Sequence, residues 1–314
     1  MKAAQINKYG GSDVVEIHNN ATRPIVQAGS ILVEMHAAGV NPVDWKIREG
    51  YLQQMAPLHF PATLGGDFSG VVTEVDKDVS PFKPGDEVYG TALVVGGGSG
   101  AFTEFATTQA GSIAPKPKGV SHSEAAALPL TGVSALQALA EHIKLVAGQK
   151  VLIHGGAGGI GSMAIQLAKH LGAYVATTVK VNDAAYVKEL GADEAIEYEN
   201  QRFENVVSDY DAVFDTVGSE TYQRSFSVLK KGGIIVSMLE QPNGELMKQY
   251  GVTAIAQFTQ ITTERLSKLA ELVDQGVLKV NIDKIFPLEQ AGEALAYLQS
   301  GKVRGKVVVQ IQED

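Results

Sequence analysis

Five of the seven residues from Gly155 to Gly161 are glycine, and their flanks restrict what this chain can fold into. Val151, Leu152 and Ile153 before them form a short apolar run of the kind found in a buried parallel strand. After them Ile160, Met163, Ala164, Leu167, Ala168 and Leu171 recur at helical spacing, Lys169 and His170 fall in the last turn, and Gly172 is placed to stop the helix. Within the loop the spacing is Gly156-x-Gly158-x-x-Gly161. A lone G-x-G-x-x-G is a weak signal, but strand, glycine turn and helix in succession open a dinucleotide-binding unit. The backbone of Gly156, Ala157, Gly158, Gly159, Ile160 and Gly161 is therefore expected to approach a pyrophosphate closely. The free N–H groups of the helix would hold its charge.

A chain of 314 residues has room for two domains with a core each. With 45% hydrophobic and 19% charged residues it is expected to be globular. A net charge of −9 without a basic run argues against a nucleic-acid surface. There is no cysteine, which excludes disulfides and thiolate metal sites. The seven histidines show no ligand spacing, and His154, just before the glycines, reads as strand-end packing. The opening MKAAQINKYGG lacks the apolar segment of a signal peptide and no run reaches membrane-spanning length, so the expectation is a cytoplasmic protein with no membrane partner.

Before the glycine loop the chain reads as short strands and turns. Met1 to Ile6, Val14 to Ile17, Ile31 to Ala38, Val71 to Val75 and Phe102 to Thr107 are strand candidates, and Gly96 to Gly100 reads as a flexible surface loop. This predicts a barrel-like β domain. After Pro115-Lys-Pro117, helices and strands alternate. Ser121-x-x-Glu124 is a capping box before an alanine-rich helix interrupted near Pro129. Further strands are expected at 174–179, 195–198, 212–217, 234–239 and 252–258, with a helix from 219 to 230 ended by Gly232-Gly233. That order implies a doubly wound parallel sheet. Residues 121–258 are expected to form this cofactor domain, inserted between residues 1–120 and 259–314, which join as the other domain.

In Gly39-Val-Asn-Pro-Val-Asp44, Gly65-Gly-Asp-Phe-Ser-Gly70, Lys83-Pro-Gly-Asp-Glu-Val88, Ala125-Ala-Ala-Leu-Pro129, His154 to Gly161 and Arg304-Gly-Lys306, the chain resembles the medium-chain dehydrogenase/reductase superfamily. More narrowly it resembles the zinc-free NADPH:quinone or enone oxidoreductases. The resemblance spans almost the whole length. It implies a GroES-like substrate domain, a Rossmann cofactor domain and a homodimer formed through the latter. Where zinc-containing relatives carry metal ligands, this chain has Asn41, Gly66 and Leu130, so no metal is expected.

The second strand of an NAD site normally ends near a carboxylate. Here Thr178 and Lys180 stand in that segment with no acid before Asp183, which favours the 2′-phosphate of NADPH. The expected reaction is hydride transfer to a quinone or to a conjugated enone or enal. The resemblance places Asn41 beside the nicotinamide as a donor, Thr131 against the ring, the backbone of Met238 and Leu239 at a strand end facing the cofactor, and Lys306 approaching it from the tail. Tyr51 is a candidate for the substrate wall, as is Trp45, though core packing serves either equally well. Asp44 reads as a structural residue of its turn. An enoyl-thioester reductase and a non-catalytic NADPH-binding protein remain the alternative readings.

Overall fold

The strand Ser30–Val40 is buried along nearly its whole length, as its sequence SILVEMHAAGV dictates, and the first unit is built around it. In the computed structural model, which describes residues 1–313, one edge of this strand pairs antiparallel with Asp67–Val75. The other edge is shared between Phe105–Gln109, opposite residues 30–34, and Lys306–Gln310, opposite residues 37–40. Register shifts at Leu32/Val33 and Met35/Ala37 mark irregularities of the kind that bend and twist a strand. Glu87–Thr91, Ile113–Pro115 and Ile282–Pro287 complete a seven-stranded sheet. A three-stranded sheet of Glu16–His18, Ala3–Ile6 and Ala62–Thr63 accompanies it. Gly39 has to be glycine here, because a Cβ would collide with the Ala126 carbonyl.

Residues 1–130, 261–275 and 280–313 form this first unit, and residues 131–260 with 276–279 form the second. The helix His122–Ala126 starts at Ser121, whose hydroxyl accepts from Glu124 N in the capping box, and it packs on the strands Ser30–Val40 and Asp67–Val75. It therefore lies in the first unit. Helix Thr263–Asp274 also packs there, with Tyr89 Oη donating to the Leu266 carbonyl at 2.6 Å.

The second unit is a six-stranded, all-parallel sheet in the spatial order Glu194–Glu197, Tyr174–Val179, Lys150–His154, Tyr210–Asp215, Leu229–Ser237, Thr253–Ala256. Counted within the unit this is 3-2-1-4-5-6, the doubly wound order, whose switch point falls beside Lys150–His154. Leu152, Ala176, Val213 and Ile235 from its strands are buried against Tyr222 and Phe226.

Two local expectations fail for tertiary reasons. Gly232 and Gly233 lie inside the strand Leu229–Ser237 and do not end a helix; the helix Ser219–Ser225 finishes earlier, in a short turn through Val228. Gly96 to Gly100 is no open loop. Gly98 N donates to the Leu93 carbonyl and Gly100 N to that of Ala92, and Gly100 is buried at φ +89 against the Thr63 backbone. Glycine is there for close approach. Among the described residues, no helix is long and apolar enough to cross a membrane.

Candidate functional site

The glycine turn leaves the strand Lys150–His154 at the carboxyl edge of the parallel sheet and enters the helix Gly159–His170 with Gly158 as N-cap. No side chain caps that helix, so its first N–H groups have no partner within it. A Cβ on Gly161 would strike the Gly155 carbonyl, and one on Gly156 would strike the Thr177 side chain. The strand, turn and helix can therefore pack this closely only without side chains. That leaves a concave backbone cradle suited to a phosphate.

His154 and Thr178 fix the turn from below. Gly155 N donates to Thr178 Oγ1 (3.2 Å), which lies 3.1 Å from His154 Nδ1. His154 Nε2 is 2.9 Å from Ser225 Oγ, and that hydroxyl donates to the Thr221 carbonyl at 2.6 Å. The chain has one consistent direction: Ser225 accepts from Nε2–H, and Nδ1 accepts from the Thr178 hydroxyl. His154 is thus a neutral, buried strut, and burial pushes its imidazole down to about 3. The Thr178 hydroxyl, expected at the 2′-phosphate, is buried with Gly155 N and His154 Nδ1 beneath the turn.

Lys180 is exposed at the carboxyl end of the strand Tyr174–Val179. The missing acid is nearby after all: Glu199 Oε2 accepts from Val181 N at 3.2 Å. It comes from the end of the adjacent strand, too far along the chain for spacing from the glycines to reveal it.

Met238 and Leu239 follow the strand Leu229–Ser237 at the same sheet edge. Their N–H groups are already used, Met238 N on the Asp215 carbonyl and Leu239 N on Ser237 Oγ. What this segment can offer a ligand is carbonyl oxygen and side chain. Asp215, missed in the sequence, organises it: the buried carboxylate accepts from Ser237 Oγ at 2.7 Å and from Val217 N and Gly218 N at 3.0 Å. Thr131 is buried in the helix Pro129–Leu136, at the residue where the second unit begins.

In the first unit Asn41 caps the helix Pro42–Arg48, its backbone N donating to Asp44 Oδ2 at 2.7 Å. Lys306 Nζ donates to Asn41 Oδ1 (2.5 Å) and to the Val40 carbonyl (2.7 Å). Asp67 accepts from Leu130 N at 2.9 Å, and the Asn41 side chain nearby helps to hold its carboxyl down against burial. All four side chains are buried. Burial pushes Asp44 up to about 7 and Asp67 up to about 6, and it pulls the Lys306 ammonium down while the two carboxylates hold it up. Lys306, expected to approach the cofactor, gives its amine to Asn41 and Val40. Asp67 stands in Gly65-Gly-Asp67, where with Asp44 it looks like a pair of carboxylates for acid–base work; the structure buries both beside one ammonium.

Tyr51 does not join this cluster. It lies in the turn after the same helix, its backbone N donating to the Lys46 carbonyl at 3.0 Å. Its ring is 68% exposed and stands edge-on to Trp45 at 5.9 Å. Nor do the residues fit zinc. Gly66 and Leu130 offer no side-chain donor, the Asn41 oxygen is taken by an ammonium, and no group of three metal-binding side chains exists among the described residues.

A GroES-like sheet unit and a doubly wound parallel unit in one chain define a two-domain oxidoreductase. A family model described as "Alcohol dehydrogenase GroES-like domain" matches residues 27–118, and one described as "Zinc-binding dehydrogenase" matches residues 190–309. A 2-methylene-furan-3-one reductase of Solanum lycopersicum is 35% identical over 98% of this chain and 79% of its own length. A chloroplastic NADPH-dependent alkenal/one oxidoreductase of Arabidopsis thaliana is 34% identical with the same coverage. The solved quinone oxidoreductase of Coxiella burnetii superposes with a TM-score of 0.92 at 35% identity, covering 99% of each chain. The chain belongs to the zinc-free quinone/enone oxidoreductase family of the medium-chain dehydrogenase/reductase superfamily.

Proposed function

We propose that this chain transfers a hydride from NADPH to a quinone or a conjugated enone or enal, with no metal taking part. The observation that carries the reading is the glycine turn, whose Gly156 and Gly161 exclude side chains at the carboxyl edge of the sheet. In this proposal residues 131–260 bind the cofactor and the first unit receives the substrate. Gly156 to Gly161 take the pyrophosphate, Lys180 attracts the 2′-phosphate, and Thr131 with the carbonyl oxygens of Met238 and Leu239 line the nicotinamide end. NADPH supplies the hydride.

Conjugation in the acceptor means that the arriving electron pair ends as an enolate or phenolate oxygen, where charge is delocalised. Such an oxygen needs a hydrogen-bond donor more than a dedicated acid. The Asn41 amide is the donor in this reading, and water completes the proton transfer. The partner is a small molecule, and the assembly is a homodimer.

NADPH oxidation with a panel of quinones, enones and enals tests the reading, alongside metal analysis and light scattering. Turnover that survives a chelator in zinc-free protein is the expected result. Tight NADPH binding without turnover of any acceptor would make the chain a binding protein, and loss of activity on chelation would overturn the metal-free assignment.

A further inference from the structure

We infer that Lys306 is a positioning residue, whose buried ammonium fixes the orientation of the Asn41 amide and polarises its N–H bonds. The inference rests on the proposed role of Asn41 as a donor. Its basis is a chemistry of partners that permits only one arrangement. An ammonium can only donate, so Oδ1 of Asn41 must face Lys306 and Nδ2 is left pointing away from it. That contact does not survive a flip of the amide. The Asn41 backbone N is held by Asp44 at 2.7 Å. The residue is therefore fixed through its backbone and through its amide oxygen.

An ammonium on the carbonyl oxygen draws electron density out of the amide, and charge-assisted bonds of this kind are short and strong. The Nδ2–H bonds, strengthened in this way, are the donors available to a developing oxyanion. One ammonium against two carboxylates also explains why the lysine is kept inside the unit. Without it Asp44 and Asp67, once ionised, would be buried with no counter-charge.

The chain has no cysteine, so a Lys306→Cys protein can be alkylated at that one thiol with bromoethylamine in denaturant and refolded, restoring an ammonium of almost the same reach. Lys306→Met should lower kcat about tenfold or more with the NADPH KM within about threefold, and the alkylated protein should recover most of that loss. The side-chain amide protons of Asn41, followed by NMR without cofactor, should be protected from exchange in the parent and lose that protection in Lys306→Met.

A raised NADPH KM with intact kcat would make Lys306 a cofactor contact and overturn the inference, as would unchanged kcat and amide protection. A folded, alkylated protein that stays slow would also overturn it. If Lys306→Met does not fold, Lys306→Met/Asp67→Asn removes both charges together; it should fold and remain slow, and parental turnover would refute the role. A parent protein inactive on every acceptor would sink the proposed reaction, while the NMR comparison would still decide the Lys306–Asn41 coupling.

Discussion

His154 Nδ1 and Thr178 Oγ1 lie 3.1 Å apart under the glycine turn, on adjacent strands of the parallel sheet. The same hydroxyl receives Gly155 N, so the first peptide of the turn hangs from the second strand. Thr178→Val keeps the shape and removes the hydroxyl, leaving Gly155 N–H and His154 Nδ1 without partners. We expect a loss of about 1–3 kcal/mol of stability, since buried polar groups are costly when unpaired. NADPH and NADH affinity should fall together. A loss confined to NADPH, measured by fluorescence titration, would instead put the hydroxyl on the 2′-phosphate.

Acid and neutral pH should act on the two units in opposite directions. His154, at about 3 in the native protein against 6.5 when unfolded, stays neutral while the unfolded chain takes up a proton. Its contribution is therefore lost as pH falls from about 6.5 toward 3. Asp44 and Asp67, raised by burial to about 7 and about 6 from 3.8, keep protons that the unfolded chain has released. Their contribution is fullest below about pH 4 and is lost as pH rises to about 7. His154→Gln should flatten the acid limb of stability and Asp44→Asn the neutral limb. Unfolding midpoints between pH 4 and 8 check this; a parental slope in Asp44→Asn between pH 5 and 7 would mean that Asp44 is already ionised there.

Lys180 and Glu199 flank the same backbone position, Val181, with opposite charge. The cation favours a 2′-phosphate and the carboxylate favours ribose hydroxyls, so coenzyme preference is their balance. Lys180→Glu should erode the expected preference for NADPH by about tenfold, the scale of one charge-assisted contact. Glu199→Gln should raise it. Ratios of kcat/KM for the two coenzymes are the measurement, and equal use of both by the parent protein would refute the role given to Lys180.

Tyr51 should be dispensable for proton transfer. Its exposed ring stacks edge-on against Trp45, away from the Asn41 cluster. Tyr51→Phe should cost less than about tenfold in turnover, because general acid catalysis is usually worth about a hundredfold or more. Asn41→Ala should cost more. A Tyr51→Phe protein a thousandfold slower with unchanged NADPH affinity would identify Tyr51 as the acid.

Local chemistry made the glycine turn legible in the sequence: an apolar triplet, five glycines and a helical stripe each act over a few residues, and the fold class followed from their order. The structural role of Asp44 was readable for the same reason, since Asn41 N lies one turn away. What the sequence could not supply was the direction in which a side chain faces once distant segments meet. Lys306 and Asn41 are separated by 265 residues, and only the pairing of Lys306–Gln310 with Ala37–Val40 turns a basic residue of the tail inward onto an amide. The parallel register sets the Thr178 hydroxyl beneath Gly155, and Glu199 meets Val181 because the strand it follows lies beside Tyr174–Val179. Periodicity and turn chemistry are encoded in neighbours along the chain. The burial of an ammonium with two carboxylates is decided by strand register, which places groups from opposite ends of the sequence within hydrogen-bond reach.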